Sequence, residues 1–196
     1  MPGTEETRTP PPAQRADVVR NQKKVLAAAA EVFAVSGVEA PVREIAAKAG
    51  VGMGTLYRHF PTRADLVVAV FRHQVEELSQ AGPHLLATAG SPMEALRRWI
   101  DQFADFLVTK HGLAGIPQPD GGSATLHTYF LDRLLPVAEE LLAAAADAGE
   151  ARTDVQPYEL LRGIGNLCIA PGHDPRYRPR RLIGLLLDGL APAARS

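Results

Sequence analysis

The sequence predicts an all-α fold. Apolar residues recur every three or four positions in eight segments, helix-start signals precede several of them, and no stretch of any length alternates as a strand would. With 196 residues the chain can bury one sizeable core, or a small module joined to a larger one.

Residues 1–16 are rich in Pro, Thr and Glu without apolar periodicity and are expected to form a disordered tail. Asp17 is the expected cap of a first helix, in which Val25, Ala29, Val32, Phe33 and Ser36 share a face before Gly37 ends it. A short second helix covers Val42–Ala49, with Ile45 and Ala49 one turn apart, and Gly50 stops it; a third runs over Met53–His59. Thr62 followed by Asp65 reads as a capping box and opens a fourth helix from Arg63 to about Gln80. Ser91-Pro92-Met93-Glu94 is another start, with Ser as cap and Pro at the first position, for a helix reaching His111. GLAGIPQPDGG, residues 112–122, is a loop, and helices resume at about 123–148, 157–170 and 179–190.

Charge is unevenly spread. Up to Arg63 nine Lys/Arg face six acids, giving +3, whereas the remaining 12 basic and 16 acidic residues give -4. A basic front and an acidic back suggest that only the front meets a polyanion. A single cysteine, Cys168, excludes an internal disulfide and a cysteine-rich zinc site, and fits a reducing compartment. The first residues carry no apolar signal-peptide core, and no apolar run approaches the ~18 residues of a membrane span, so the expectation is a soluble cytoplasmic protein.

The second helix, a glycine-containing turn and the third helix together match a helix-turn-helix. Ile45, Ala46, Ala49, Val51, Leu56 and Phe60 are placed to pack against the first helix. They leave Arg43, Met53, Gly54, Thr55, Tyr57, Arg58 and His59 outside, a surface with donors for phosphate oxygens and side chains that reach base edges.

The run AAAAEVFAVSGVEAPVREIAAKAGVGMGTLYRHFPTRADL, and GTLYRHFPTR most specifically, resembles the N-terminal domain of the TetR (tetracycline-repressor-like) family of transcriptional regulators over roughly residues 18–66. The resemblance implies a helix-turn-helix domain at 17–62, a connecting helix at 63–80 and a ligand-binding and dimerisation domain at 81–196. It places the third helix in the major groove, with Met53, Gly54 and Thr55 facing bases and Tyr57 and His59 on phosphates. Arg63 stands where the family usually has Lys and would hold the next phosphate, and Arg43 occupies a position that can read a base. Pro41 and Gly52 replace the family's usual Thr and Ser caps. Gly52 and Gly54 let the helix come close to the DNA backbone, at roughly 1 kcal/mol of helix stability for Gly54.

Trp99, Phe103, Phe106 and Lys110 recur at helical spacing on the fifth helix and read equally as one wall of a small-molecule pocket or as plain core. Met93, Leu96, Leu107, His127, Phe130, Leu134 and Cys168 are further pocket candidates, His127 also reading as an ordinary exposed histidine. PYELLRGIGNLCIA and PRRLIGLLLDGL are apolar around much of their circumference, and Gly163, Gly165, Gly184 and Gly189 permit close helix approach. By the resemblance these form a four-helix dimer interface; otherwise they are the centre of the C-terminal core. RYRPRR reads as a solvated loop or an anion site.

The implied function is a repressor released from a palindromic double-stranded operator by a small-molecule effector, acting as a homodimer with no cofactor, metal, catalytic residue or membrane partner. One rival is a helix-turn-helix regulator whose C-terminal domain binds a protein. The other is a metal-dependent enzyme. GGSATLH around Ser123 lacks the closing glycine and preceding strand of a nucleophile elbow, His73 and Glu77 lie one turn apart without a recognisable third ligand, and there is no P-loop.

Overall fold

The computed structural model describes residues 12–112, 122–169 and 176–192, with backbone alone for 12–19, 108–112 and 122–125. These residues form α1 (Pro12–Ser36), α2 (Val42–Ala49), α3 (Met53–His59), α4 (Arg63–Thr88), α5 (Pro92–Gly112), α6 (Gly122–Asp147), α7 (Pro157–Cys168) and α8 (Pro179–Asp188), with no strand among them. The helical assignment holds throughout; the expected loop falls, at 113–121, outside the described residues.

Several ends obey the local chemistry that predicts them. Thr62 Oγ1 accepts from Asp65 N at 3.1 Å, and Thr62 N donates back to Asp65 Oδ2 at 3.0 Å, closing the capping box. Ser91 Oγ accepts from Glu94 N at 3.2 Å, while the Glu94 carboxylate reaches the Gly90 N–H at 3.0 Å. Gly50 takes φ +68, and Gly50 N and Val51 N close onto Ala47 O and Ala46 O, the two bonds of a Schellman stop.

Two ends differ from expectation. α1 begins at Pro12, so Asp17 lies inside the helix rather than capping it, and the expected tail shortens to residues 1–11, which are outside the described residues. Pro suits a first turn, and Ala13, Gln14, Arg15 and Ala16 are good helix formers. At its other end Ser36 is exposed rather than part of the buried face. α4 runs through Pro83 to Thr88 instead of ending near Gln80. Proline normally breaks a helix interior by removing a bond and crowding the preceding turn. Here Leu78, Gly82 and Leu85 are all buried, and packing holds the segment on its helical path.

Gly82 shows how close that packing is. A Cβ at this position would lie 2.2 Å from Val137 Cγ1, on the stiff branched side chain of α6. Gly82→Ala should therefore destabilise the protein by about 1–3 kcal/mol, although alanine is the better helix former. Urea denaturation checks the sign; a stabilised variant would mean that α4 and α6 separate without cost.

α4 belongs to two cores. Leu66, Val67 and Val70 close a small one with Val25, Leu26, Ala29 and Phe33 of α1, Ile45 and Ala46 of α2 and Leu56 of α3. From the next residue, Phe71, Val75, Leu78 and Leu85 face a larger one built with α5–α8. α4 thus joins the N-terminal module to the larger core as one continuous helix.

Candidate DNA-binding surface and effector cleft

α2 and α3 hold their inner faces by burying Ile45, Ala46, Leu56 and Phe60, with Ala49 and Val51 partly buried against them. Their outer faces leave Arg43, Met53, Gly54, Tyr57 and Arg58 exposed and Thr55 and His59 half-buried. Arg43 and Arg58 hold no hydrogen bond or ion pair with a described residue, whereas Lys48 is paired to Glu31 at 2.6 Å. A Cβ added at Gly52 or Gly54 would meet nothing within 4 Å. Nothing among the described residues requires those glycines to be small, which agrees with a close approach from outside.

Arg63 is partly committed within the chain. Its Nη1 donates to Val38 O at 2.5 Å and Ala40 O at 2.9 Å, tying the start of α4 to the turn between α1 and α2. The sequence reading gave it a phosphate alone; the fold adds an internal tie, because the turn's carbonyls lie within reach of the fourth helix.

In the larger core the aromatic candidates separate. Phe103, His127 and Phe130 come together around a cleft of about 60 Å³, with Leu107, Leu131, Tyr158, Leu161, Arg162 and Gly165. Trp99 does not line it: the side chain is fully buried, and its Nε1 donates to Leu78 O at 2.9 Å, one residue before the Ser79 carbonyl that Pro83 cannot bond. Phe106 is also core, packed on Phe71, Phe103 and Phe130. Cys168 is half-buried and outside the lining, near Arg180 and Asp105, and burial pushes its thiol pKa up. Leu96 and Leu134 are core, Met93 lies partly buried at its edge, and the Lys110 and Ser123 side chains fall outside the described residues. Sequence reasoning missed Tyr158, Leu161, Arg162 and Gly165 as cleft residues because, Cys168 apart, it read α7 as a dimer-interface or core helix. Their spacing of three, four and seven was the available signal.

Larger grooves are open: one of about 780 Å³ between α1 and α4 is lined mostly by polar and charged side chains, and one of about 720 Å³ beside the α3–α4 turn mixes His59, Thr62, Asp65 and Arg72 with apolar residues. The smaller cleft combines a wall of aromatic rings with a few polar groups, the usual make-up of a small-molecule site.

The opposite face of α6 grips α4. Tyr129 donates its hydroxyl to Glu76 Oε1 at 2.5 Å, Arg133 Nη2 reaches the same oxygen at 2.9 Å, and the Arg72 and Arg133 guanidiniums lie 5.7 and 5.9 Å from the Tyr129 ring centre. Burial and the Glu76 carboxylate both raise the Tyr129 pKa. His127, Phe130 and Leu131, beside this clasp in sequence, line the cleft, so α6 connects cleft and α4 directly.

α8 lies clamped on α5. Arg180 binds Asp101 through its backbone and side-chain oxygens at 2.9 and 3.0 Å and also Asp105, while Arg97 holds Asp188 at 2.7 Å. The RYRPRR run is therefore not simply solvated, since Arg180 docks a helix. On the outer side Leu185 remains 59% exposed, Leu186 37% and Ile169 58%, and a Cβ at Gly184 would meet nothing within 4 Å. His73 and Glu77 pair with each other at 3.3 Å, and no cluster of three or more metal-ligating side chains exists among the described residues. No helix among them is long and apolar enough to cross a membrane.

A family profile described as bacterial regulatory proteins of the tetR family matches residues 25–70, and one described as the SbtR-like transcriptional regulator C-terminal domain matches residues 91–192, just over half the chain. The crystal structure of the TetR transcriptional regulator SCO0520 from Streptomyces coelicolor is 39% identical, with a TM-score of 0.69 over 88% of this chain and 99% of that one. The HTH-type transcriptional repressor LfrR of Mycolicibacterium smegmatis is 33% identical over 132 residues, 67% of this chain and 60% of that protein. The HTH-type transcriptional activator FasR of the same organism is 35% identical over 85 residues, 43% of this chain and 39% of that protein. The chain thus spans less than two thirds of either curated relative. The two profiles account separately for the small core and the large one, and the Streptomyces structure joins them in the same order: the chain belongs to the TetR family of bacterial DNA-binding transcription regulators.

Proposed function

We propose that the chain is a homodimeric, ligand-responsive repressor that leaves a palindromic operator when a small molecule enters the cleft between α5, α6 and α7. The observation that carries this reading is the continuity of α4, buried in both cores and clasped to the cleft-lining helix through Glu76 and Tyr129. A ligand that binds a widened cleft better than a closed one favours a displaced α4 and mis-spaces the two reading heads; equal affinity for both states would shift nothing. The relative named as a repressor, LfrR, matches 67% of the chain, whereas the named activator, FasR, matches 43%, which favours repression. The apolar outer faces of α7 and α8 favour a second copy as their cover over a foreign protein, because close helix approach at Gly184 suits a symmetric bundle.

Arg43, Met53, Gly54 and Thr55 are assigned to bases, and Tyr57, His59 and Arg63 to phosphates. A duplex selected from random DNA by the wild-type protein tests this, measured as single-base variants at two salt concentrations. Arg43→Ala should cost ~1–3 kcal/mol and relax preference at one symmetric pair of positions, as a bidentate arginine on guanine would. Arg63→Ala should weaken binding to every sequence, reduce the salt slope by about one per subunit and lower the melting temperature, because its tie to Val38 and Ala40 is lost as well. If Arg43→Ala alters only the salt slope, Arg43 is a phosphate clamp and the base assignment falls.

A further inference from the structure

We infer that the effector is a flat aromatic acid, its ring laid against the Phe103–Phe130–His127 wall and its carboxylate held by Arg162; this rests on the effector-cleft reading above. Four rings form a column. Trp99 and Phe103 stand 5.7 Å apart between centres at 1°, Phe103 and Phe130 5.9 Å at 22°, and Phe130 and His127 5.9 Å at 21°. The inner end is the buried Trp99, and the outer three rings line the cleft. The stack occupies the ring faces with one another and turns ring edges to the cleft, and a flat ligand ring laid across those edges packs in the favoured edge-to-face manner. Leu107, Leu131 and Leu161 complete an apolar lining suited to a hydrocarbon body.

Charge then selects among flat molecules. Among the described residues no acidic side chain lines the cleft, and Arg162 is the one permanently charged side chain in that lining. Arg97, Arg98, Arg133, Arg152 and Arg180 each hold an aspartate or glutamate. Arg162 holds none among the described residues. Tyr158 stands one helical turn before Arg162 and adds a hydroxyl donor on the same side of α7. A guanidinium fork beside a phenol suits a carboxylate and disfavours a cation.

A cleft of about 60 Å³ is smaller than the ~150 Å³ cavity that takes benzene, so the ring enters only as α6 and α7 part. That parting moves Phe130, next to the Tyr129 hydroxyl on Glu76, and so reaches α4. The acid would therefore be read by the same motion that releases DNA.

Calorimetry on the wild-type protein with 2-naphthoate, 2-naphthamide and a naphthyl trimethylammonium salt tests the assignment. Naphthoate should bind at least tenfold more tightly than the amide, and the cation should not bind. Arg162→Gln should cost naphthoate tenfold or more and leave the amide unchanged, with Arg162→Lys between. Gly165→Leu, where a Cβ meets nothing within 4 Å, should fill the cleft and abolish both without unfolding the helix. Equal binding of acid and amide, insensitivity to Arg162→Gln, or no naphthoate binding at millimolar concentration overturns the acid assignment. Naphthoate binding that survives both Arg162→Gln and Gly165→Leu overturns the cleft as the effector site as well.

Discussion

Replacing Trp99 with alanine should cost about 3–5 kcal/mol of stability, the range for deleting a large buried aromatic. The side chain is fully buried, stacked on Phe103, and donates to Leu78 O at 2.9 Å, so removal leaves both a cavity and a carbonyl without that donor. At 2–4 °C per kcal/mol for a chain of this size, the melting temperature should fall by roughly 10 °C. Trp99→Phe separates the contributions, since it keeps a ring on Phe103 and loses the N–H; about 0.5–1.5 kcal/mol is expected from the lost hydrogen bond, because Leu78 O keeps its place in the α4 ladder. Thermal and urea unfolding of the two variants measure this, and a melting temperature within 3 °C of wild type for the alanine protein would remove Trp99 from the core. Because Trp99 touches Phe103, its fluorescence should still report occupation of the cleft, at one remove.

Leu186→Glu should convert the protein to a monomer and cut operator affinity by about two to four orders of magnitude, as expected when two half-site contacts lose their linkage. Leu185 and Leu186 are exposed on α8 next to α7, where Gly163 lies 3.7 Å, measured from an added Cβ, from Leu186 Cδ2. A partner helix covering that face would bury the leucine, and a glutamate there would be desolvated without a counter-charge. The subunit fold should survive, because the side chain is partly exposed within one chain. Light scattering at micromolar concentration and a binding titration must change together. A retained dimer would place the interface on another face.

The sequence by itself determined the elements and the reading head. Helix ends are local: Thr62 and Asp65, Ser91 and Glu94, and Gly50 at φ +68 make contacts within a few residues, so spacing and residue type suffice. The helix-turn-helix was legible for a similar reason, since its buried set Ile45, Ala46, Leu56 and Phe60 and its exposed donors alternate over one short stretch. Tertiary structure alone decided where α4 ends, because a proline that local rules treat as a stop is outweighed by burial of Leu78, Gly82 and Leu85. It also decided which aromatics are cleft and which are core. Trp99, Phe103 and Phe106 share a helical face, and only the position of α6 and α7 leaves space beside Phe103 while filling it around the other two. The same holds for Arg63 on Val38 and Ala40, Tyr129 on Glu76 and Arg180 on Asp101. Each joins residues more than twenty positions apart, and periodicity along one helix carries no information about the partner that another helix brings to it.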